Sequence, residues 1–328
     1  MKIIVCHPAQ QHSYRLATAL KRKNMLSAYI TTVYYKNGSL TKAASKLLKG
    51  KFQKKAVGRR CEELADTDVI QFCEGEGILK LLALNVPVFR PLYYRLKYGT
   101  ADRFARKVAA YAIAHHVDAV ITYDDCSPLL FEILQEKAPN IVRILDMSAA
   151  ELHYMRAIYD KDAELMPQFA ERLHYEYAKV WNNAIMDKCL REVKASQYFL
   201  TPSAFVRRSL RYTGVKDAQM LTCPYGVDIS EFSCKAYPKC HNSAPLKFVY
   251  VGGVKELKGI SYLLEAFMQI PREHAELTVI GDFKAEDCDI KRYLNRVHFT
   301  GMVLHSEIPH VLHASDVFVF PSLGEGLS

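Results

Sequence analysis

Short apolar runs alternate with longer stretches of helical periodicity along most of the chain. Ser127-Pro128 and Pro202-Ser203 mark two helix starts, because Ser caps a helix N-terminus and Pro is tolerated in the first turn. Strands that alternate with helices in this way predict parallel sheets covered by helices, which is an α/β fold. Ten runs have the length and composition of buried strands: 3–6, 69–72, 119–122, 142–146, 198–201, 220–224, 247–251, 277–280, 297–300 and 317–320.

The chain of 328 residues, half of them hydrophobic, is long enough to bury two cores. A break is expected at 226–242, where the sequence lacks both periodicities and carries Ser, Pro and Lys. We therefore predict an N-terminal domain at 1–226, a linker at 227–242 and a C-terminal domain at 243–328.

Positive charge is concentrated in one part of the first domain. The net charge is +9, and residues 41–60 hold eight Lys or Arg residues and no acid. Apolar residues recur at helical spacing from Leu40 to Phe52 with lysines off that stripe, which predicts a basic amphipathic helix. Such a helix can lie on anionic lipid, and the basic, aromatic segment 90–98 agrees with this but also suits single-stranded nucleic acid. A solvated helix face packed on its own domain explains the pattern equally well.

The cysteine pattern and the apolar runs indicate a cellular location. The nine cysteines show no C-x-x-C spacing, which fits reduced thiols better than disulfides or a zinc site. No run reaches the roughly 18 apolar residues of a membrane span, and the first apolar run is too short for a signal peptide. We expect a cytoplasmic protein.

Chemistry is expected directly after the strands, because parallel sheets bind ligands at the carboxyl ends of their strands. The strand 247–251 is followed by Gly252 and Gly253, and Lys258-Gly259 opens the next helix. Glycines let a backbone approach a diphosphate, and a lysine at a helix start adds charge-assisted hydrogen bonds. Taken alone, a turn glycine beside a surface lysine is the commoner meaning of so short a motif.

This motif belongs to an ordered series in the C-terminal part of the chain. Short motifs begin at Tyr225, Val251, Lys258, Leu263, Gly281, Phe299 and Ala314 and lead to Pro321-Ser322. In order and spacing, the series resembles the retaining glycosyltransferases of family 4, the glycosyl transferases group 1. The resemblance covers residues 198–328, whereas the first 197 residues share only the order of strands and helices. It implies the GT-B architecture, in which two Rossmann-like parallel-sheet domains face a cleft.

The last residues resemble the first half of the donor-binding motif of that family, P-S-x-x-E-G followed by a hydrophobic and a small residue. The second Glu of the motif would follow at position 333. The resemblance therefore implies that the second domain is incomplete and that the 328-residue fragment is inactive.

The resemblance also implies roles for single residues of the second domain. Lys258 would bind the donor diphosphate and Glu325 the hydroxyls of the transferred sugar. The backbone at Gly301 would run along the nucleobase of the donor. Gly253 stands where family members usually carry Arg, so Lys255 is expected to supply the missing cation. The remaining donor-binding residues would contribute backbone groups: Gly252, Gly326, Leu327 and Ser328.

The first domain offers candidates for the acceptor side. Asp146 ends a strand where many relatives place a sugar-binding His, so Asp146 or the downstream His153 is expected to take that role. Gln11 and His12 lie in a polar loop after the first strand, and Asp124 follows another strand. A helix cap for Asp146 and a surface position for His153 are equally consistent with the sequence.

Asp287-Cys288-Asp289 matches the sequence pattern of a metal-binding D-x-D motif. It precedes a predicted helix, however, and acids are favoured at the N-terminus of a helix. We interpret it as a cap and expect neither a metal nor a cofactor.

We therefore expect a retaining glycosyltransferase that uses a UDP-, GDP- or ADP-sugar as substrate. The acceptor would be a glycan or lipid-linked molecule of cell-surface polysaccharide or lipopolysaccharide synthesis. Peripheral contact with an anionic membrane through 41–60 is expected, and no nucleic acid partner. The alternatives are a nucleotide-sugar epimerase of the same fold and a basic nucleic-acid-binding protein.

Overall fold

The computed structural model describes residues 1–9, 12–85, 87–178, 182–227, 229–230, 232, 245–283 and 288–327. These residues form two compact units. Unit 1 contains Met1–Leu152 and Asn183–Pro224, and unit 2 contains His153–Asn182 and Tyr225–Gly326. The sequence prediction assigned 153–182 to the N-terminal domain, whereas the structure groups these residues with the C-terminal sheet.

Strands and helices alternate through both units. The strands of the described chain are β1 (Ile3–His7), β2 (Leu26–Thr31), β3 (Val69–Gln71), β4 (Ala119–Tyr123), β5 (Val142–Asp146), β6 (Tyr198–Thr201), β7 (Met220–Thr222), β8 (Leu246–Val251), β9 (Ala275–Ile280), β10 (His298–Gly301) and β11 (Val317–Phe318). Its α-helices are α1 (Ser13–Arg22), α2 (Leu40–Ser45), α3 (Gly50–Val57), α4 (Glu74–Asn85), α5 (Arg90–Ala114), α6 (Pro128–Lys137), α7 (Leu152–Leu165), α8 (Pro167–Ala178), α9 (Asn183–Ala195), α10 (Ala204–Tyr212), α11 (Ile260–Met268), α12 (Cys288–Lys291) and α13 (Ile308–Ala314). Within the described ranges, no helix combines the length and the apolar character that crossing a bilayer requires.

Each unit is built on a parallel sheet. The strand order is β3-β2-β1-β4-β5-β6-β7 in unit 1 and β10-β9-β8-β11 in unit 2, and every pairing is parallel. The predicted α/β fold with two parallel sheets is confirmed. The order of strands reverses beside β1 in unit 1 and beside β8 in unit 2, and ligands bind at such points in open parallel sheets.

The ten predicted strands all occur, each within two residues of its predicted bounds. The sequence prediction missed β2, which pairs with β1 along its whole length. Its apolar residues Ala28, Tyr29 and Ile30 are buried completely or almost so. Three such residues after the polar Ser27 form too short a run to stand out from the flanking helical pattern.

The predicted basic helix from Leu40 to Phe52 is wrong, because the segment forms two short helices, α2 and α3. The Ser45 hydroxyl donates to the Lys42 carbonyl over 2.7 Å at the end of α2, and such side-chain bonds compete with continuation of a helix. Leu47, in the break, is 87% exposed. The apolar stripe is therefore not one continuous face.

The central strands of unit 1, β1 and β4, are buried on both faces, as is typical of parallel sheets. Along β1, Ile4 and Cys6 pack in one hydrophobic cluster, whereas Val5 packs in another with Tyr29 on β2. Unit 2 has a separate core in which α11 covers β8 and β9.

Helix α4 approaches the sheet of unit 1 closely at Gly77. A Cβ atom at this position would lie 2.7 Å from both Thr32 Oγ1 and Val33 Cγ2. Both neighbours are β-branched and cannot easily change rotamer. Gly75, two residues earlier in the same helix, would place its Cβ in open space.

Gly77→Ala should therefore lower the free energy of unfolding by about 1–3 kcal/mol, because overpacking outweighs the better helix propensity of Ala. Gly75→Ala is the matched control, and it should be neutral or raise the free energy of unfolding by up to roughly 1 kcal/mol. Urea unfolding followed by circular dichroism measures both. Equal stability of the two variants would show that the close approach at Gly77 does not constrain the helix.

Candidate functional site

The predicted donor residues Lys258 and Glu325 meet in unit 2. Their side chains form an ion pair, Lys258 Nζ with Glu325 Oε1, and each is about one-quarter to one-third exposed. Ser322 Oγ donates to the same Glu325 oxygen over 2.8 Å. Lys258 follows β8 and Glu325 follows β11, and these two strands are neighbours. The pair therefore lies beside the point where the strand order of this sheet reverses.

Gly259 makes this meeting possible. It adopts a left-handed conformation with φ of +68°, and a Cβ atom there would lie 2.0 Å from the Pro321 carbonyl oxygen. The two loops are also joined by Leu323, whose N–H donates to the Leu257 carbonyl over 3.2 Å. Only glycine allows the loop after β8 to approach the loop after β11 so closely.

Helix α8 fixes the loop that carries Lys258. The Glu176 carboxylate accepts from the N–H groups of Glu256 and Leu257, each over 3.0 Å. Arg172 donates to the Val254 carbonyl over 3.1 Å and lies 3.6 Å from the carboxylates of Glu176 and Glu256. Sequence reasoning missed these residues, because Glu176 and Glu256 are 80 positions apart and belong to no motif.

An aromatic surface lies beneath the ion pair. Lys258 Nζ is 5.5 Å from the centre of the Phe320 ring, which stacks on Tyr250. The Tyr250 hydroxyl donates to the Gly253 carbonyl over 2.8 Å, and burial, with the charge of Glu325, raises the pKa of Tyr250. Burial and then the charge of Glu325 likewise raise the pKa of Tyr159, on α7. Tyr159 is thus a neighbour of the ion pair that no sequence motif indicated.

The other predicted donor residues lie at or after strand ends. Gly252 donates to the Ile280 carbonyl over 2.9 Å, and Gly301 ends β10 and accepts from Gly281 N–H over 3.0 Å. A Cβ at Gly253 would lie 3.6 Å from Cε of the exposed Lys255, so this lysine runs beside the position where an arginine is usual.

Gly326 is buried and Leu327 is 41% exposed, while Ser328 lies outside the described residues. The predicted cap at Asp287 and Asp289 also falls outside the described side chains.

Three predicted acceptor-side residues lie in unit 1, at the carboxyl edge of its sheet. His12 Nε2 is 3.4 Å from Asp146 Oδ2, and Asp124 N–H donates to the Asp146 carbonyl over 3.2 Å. Asp146 is 5% exposed, so His12 covers its carboxylate. His153 belongs to unit 2, in the first turn of α7. Gln11 lies outside the described residues.

A cavity of about 310 Å³ lies at the same edge of unit 1. Its lining includes the predicted residue Asp124 and four cations: Arg59, Lys80, Lys97 and Lys188. These cations come from distant parts of the chain, so only the folded structure brings them together. Composition gave a partial signal, because Arg59 belongs to the basic segment 41–60 and Lys97 to the basic, aromatic segment 90–98.

The half-buried Asp124 and the buried Glu192 place two carboxyl groups in and beside this cavity. Burial raises the pKa of Asp124 to about 6, although Ser148 donates to it from both N–H and hydroxyl. Burial raises the pKa of Glu192 to about 8, against the opposing charge of Lys188. Glu192 Oε2 accepts from Asp125 N–H over 3.0 Å. Protonated Glu192 is therefore favoured near neutral pH.

Comparison with known proteins bears on this arrangement. Residues 245–328 match the family Glycosyl transferases group 1. That segment is about a quarter of the chain, and it contains both Lys258 and Glu325. A comparison with curated proteins gives no significant match.

Solved structures resemble the chain over nearly its whole length. The apo form of the lipopolysaccharide outer core galactosyltransferase WaaB has 12% identity and a TM-score of 0.57, covering 98% of this chain and 74% of its own. Sucrose-phosphate synthase from Thermosynechococcus elongatus has 15% identity and a TM-score of 0.51, covering 100% and 77%. Anabaena HepE in complex with UDP has 14% identity and a TM-score of 0.50, covering 98% and 74%. At such identities the likeness shows the GT-B fold, and with the family match it supports a sugar transferase.

The raised pKa of Glu192 makes stability depend on pH. The folded state holds its proton up to about pH 8, whereas the unfolded chain releases it near pH 4.3. The carboxyl group therefore favours the unfolded state increasingly as pH rises between these values. Relative to Glu192→Gln, the wild type should lose up to about 1.4 kcal/mol of unfolding free energy per pH unit in this window. Urea unfolding at pH 5, 6.5 and 8 measures the difference, and a constant difference would contradict a buried, protonated Glu192.

Proposed function

We propose that the protein transfers a sugar from a UDP-, GDP- or ADP-sugar to a glycan or lipid-linked acceptor, with retention of configuration. The observation that carries this proposal is the ion pair of Lys258 and Glu325 beside β8 and β11, inside the segment that matches the glycosyl transferases group 1. We place the reaction in the synthesis of cell-surface polysaccharide or lipopolysaccharide.

Lys258 is suited to bind the donor diphosphate. The Glu325 carboxylate alone would repel a diphosphate, and the ammonium group of Lys258 neutralises it. The ring of Phe320 adds a cation–π contact that holds the ammonium group at the strand ends. The N–H of Gly252 is bonded to Ile280 within the sheet, so Gly253 and Lys255, which follow it, would offer an N–H group and a second cation to the phosphates.

Glu325 is suited to bind the sugar. Its Oε1 is held by Lys258 and Ser322, which fixes the side chain, and Oε2 is the oxygen that would accept from sugar hydroxyls. A carboxylate near the anomeric carbon also stabilises the positive charge that develops there as the bond to the nucleotide breaks. Tyr159 and Tyr250 lie close enough for the charge of Glu325 to raise the pKa of each.

The proposed reaction needs no protein nucleophile. The acceptor hydroxyl attacks the anomeric carbon on the face from which the nucleotide leaves, and the departing phosphate oxygen takes the hydroxyl proton. Lys258 stabilises the negative charge that grows on the diphosphate, a kind of preorganised electrostatic help that is often the largest contribution to catalysis. We propose no metal ion or cofactor for this step.

On the acceptor side we propose His12, Asp124 and Asp146, which the sheet of unit 1 brings together. The exposed lysines and Leu47 within 41–60 support peripheral contact with an anionic membrane surface. Product analysis with a donor labelled in the sugar separates the alternatives. Transfer moves the label to an acceptor, an epimerase leaves it in an epimeric nucleotide sugar or free sugar, and a nucleic-acid-binding protein leaves the donor intact.

Lys258→Ala should weaken binding of UDP, GDP or ADP, whichever binds most tightly, by roughly 10- to 100-fold, because a charge-assisted hydrogen bond is lost. Lys291→Ala removes an exposed cation of the same unit and is the control. Adding Glu325→Gln to Lys258→Ala should recover part of the affinity, since the uncompensated carboxylate is then removed. Calorimetry measures all four proteins, and equal affinity of Lys258→Ala and wild type would remove Lys258 from the site.

Glu325→Gln should reduce turnover of the native donor by at least about 100-fold and change the affinity for the bare nucleotide by less than about threefold. The carboxylate acts on the sugar, which the bare nucleotide lacks. Ser322→Ala keeps the carboxylate and should retain most of the turnover. Steady-state kinetics decides, and an unchanged kcat in Glu325→Gln would leave Glu325 as a structural residue of the loop.

A further inference from the structure

Two cavities adjoin each other in unit 1. The first is the cavity of about 310 Å³ at the carboxyl edge of the sheet, where Arg59, Lys80, Lys97 and Lys188 converge. We call it the cationic cavity. The second, of about 100 Å³, lies among α2, α3 and α4, and we call it the apolar cavity. Arg59 and Leu81 line both, so the two cavities share these side chains as a common wall.

The cationic cavity holds more positive than negative charge. Lys97 is paired with Asp125 over 2.7 Å. Lys80 Nζ donates to the Pro8 carbonyl over 3.3 Å, and Lys188 Nζ to the Cys126 carbonyl over 3.1 Å. Among the described residues, no carboxylate lies within 4.0 Å of the cationic groups of Lys80, Lys188 or Arg59.

The nearby acids offset the charge of these three cations only in part. The carboxylate of Asp124 accepts from Ser148 and Ala149, and that of Glu192 is protonated near neutral pH. Burial lowers the pKa of both Arg59 and Lys80, which shows that their charges are costly where they stand. A bound anion would offset that cost, because buried charge is stable when it is paired.

The apolar cavity has a different chemistry. Its walls are mostly aliphatic or aromatic, and they include Val33, Leu48, Phe52 and Ile78. Leu82 also lines this cavity, and both Leu82 and Phe52 are more than one-third exposed, so the apolar surface continues outward. This shape and composition suit a hydrocarbon chain, for which each buried methylene raises affinity about fourfold.

We infer that the acceptor is an amphiphilic phosphate ester, with its phosphate in the cationic cavity and its hydrocarbon chain in the apolar cavity. This inference rests on the proposed function, since it identifies the class of acceptor that unit 1 binds. The shared wall of Arg59 and Leu81 joins the two halves of the ligand: Arg59 faces the phosphate and Leu81 the first methylenes. Phosphate suits several converging cations better than a neutral glycan does.

Binding of octyl phosphate to the 328-residue protein tests the inference, with glycerol phosphate and octyl glucoside as probes that carry only the phosphate or only the chain. Octyl phosphate should bind at least about tenfold more tightly than either. Arg59→Gln and Lys80→Gln should each weaken octyl phosphate about tenfold or more and leave octyl glucoside unchanged. Lys23 is exposed, directly follows α1 and lines neither of the two cavities, so Lys23→Gln is the control and should have no effect.

Two further variants test the apolar cavity. Ala44→Leu should fill it, and Leu82→Asn should make its exposed rim polar with little risk to folding. Both should lower the affinity for octyl phosphate to that for glycerol phosphate. Circular dichroism and unchanged binding of glycerol phosphate show that a variant is folded.

The inference is overturned if octyl phosphate binds no better than octyl glucoside, or if Arg59→Gln behaves like Lys23→Gln. It is also overturned if glycerol phosphate binds as tightly as octyl phosphate, because the ligand of the cationic cavity would then be a soluble phosphate ester without a hydrocarbon chain. Nucleoside diphosphate binding, which depends on Lys258, is measured on the same samples. If the nucleoside diphosphate binds and octyl phosphate does not, only this inference is overturned. If octyl phosphate binds and the nucleoside diphosphate does not, only the proposed donor chemistry is overturned.

Discussion

Parallel pairing of the strands within each sheet is the constraint on which both units depend. Because all strands of a sheet run the same way, the loops after them gather at one edge. In unit 1 this brings together the loops after β1, β4 and β5, with His12, Asp124 and Asp146. In unit 2 it joins the loops after β8 and β11, with Lys258 and Glu325. The polar residues of each unit thus converge although they are distant in sequence.

Much of the fold could be predicted because buried parallel strands form continuous apolar runs between helices. β2 was not predicted, because its buried residues form only a short apolar run, Ala28 to Ile30, that begins after the polar Ser27. The prediction of one continuous basic helix was wrong, because the spacing of the apolar residues does not reveal the break after Ser45. The grouping of 153–182 with unit 2 is set by long-range packing and could not be seen in local periodicity.

Within the candidate site, sequence reasoning reached the residues that motifs mark and missed those that tertiary contacts recruit. Lys258 and Glu325 were found because they belong to short ordered motifs beside strand ends. In the sequence, nothing distinguishes Lys80 and Lys188 from other helical lysines. Only the folded structure places both of them at the same cavity. Glu176 likewise gains its role only when the loop after β8 presents two N–H groups to it.

The position of α7 and α8 also affects how the protein is made. The chain leaves unit 1 after Leu152, supplies these helices to unit 2, and returns to unit 1 at Asn183. Glu176 is synthesised 80 residues before its partner Glu256, an interval of roughly 4 to 16 s at the usual rates of translation. During those seconds Tyr159, Leu173 and Tyr177, which are buried in the finished protein, await the strands of their own unit. Chaperones that act on nascent chains would therefore find the apolar side chains of α7 and α8 accessible during this interval.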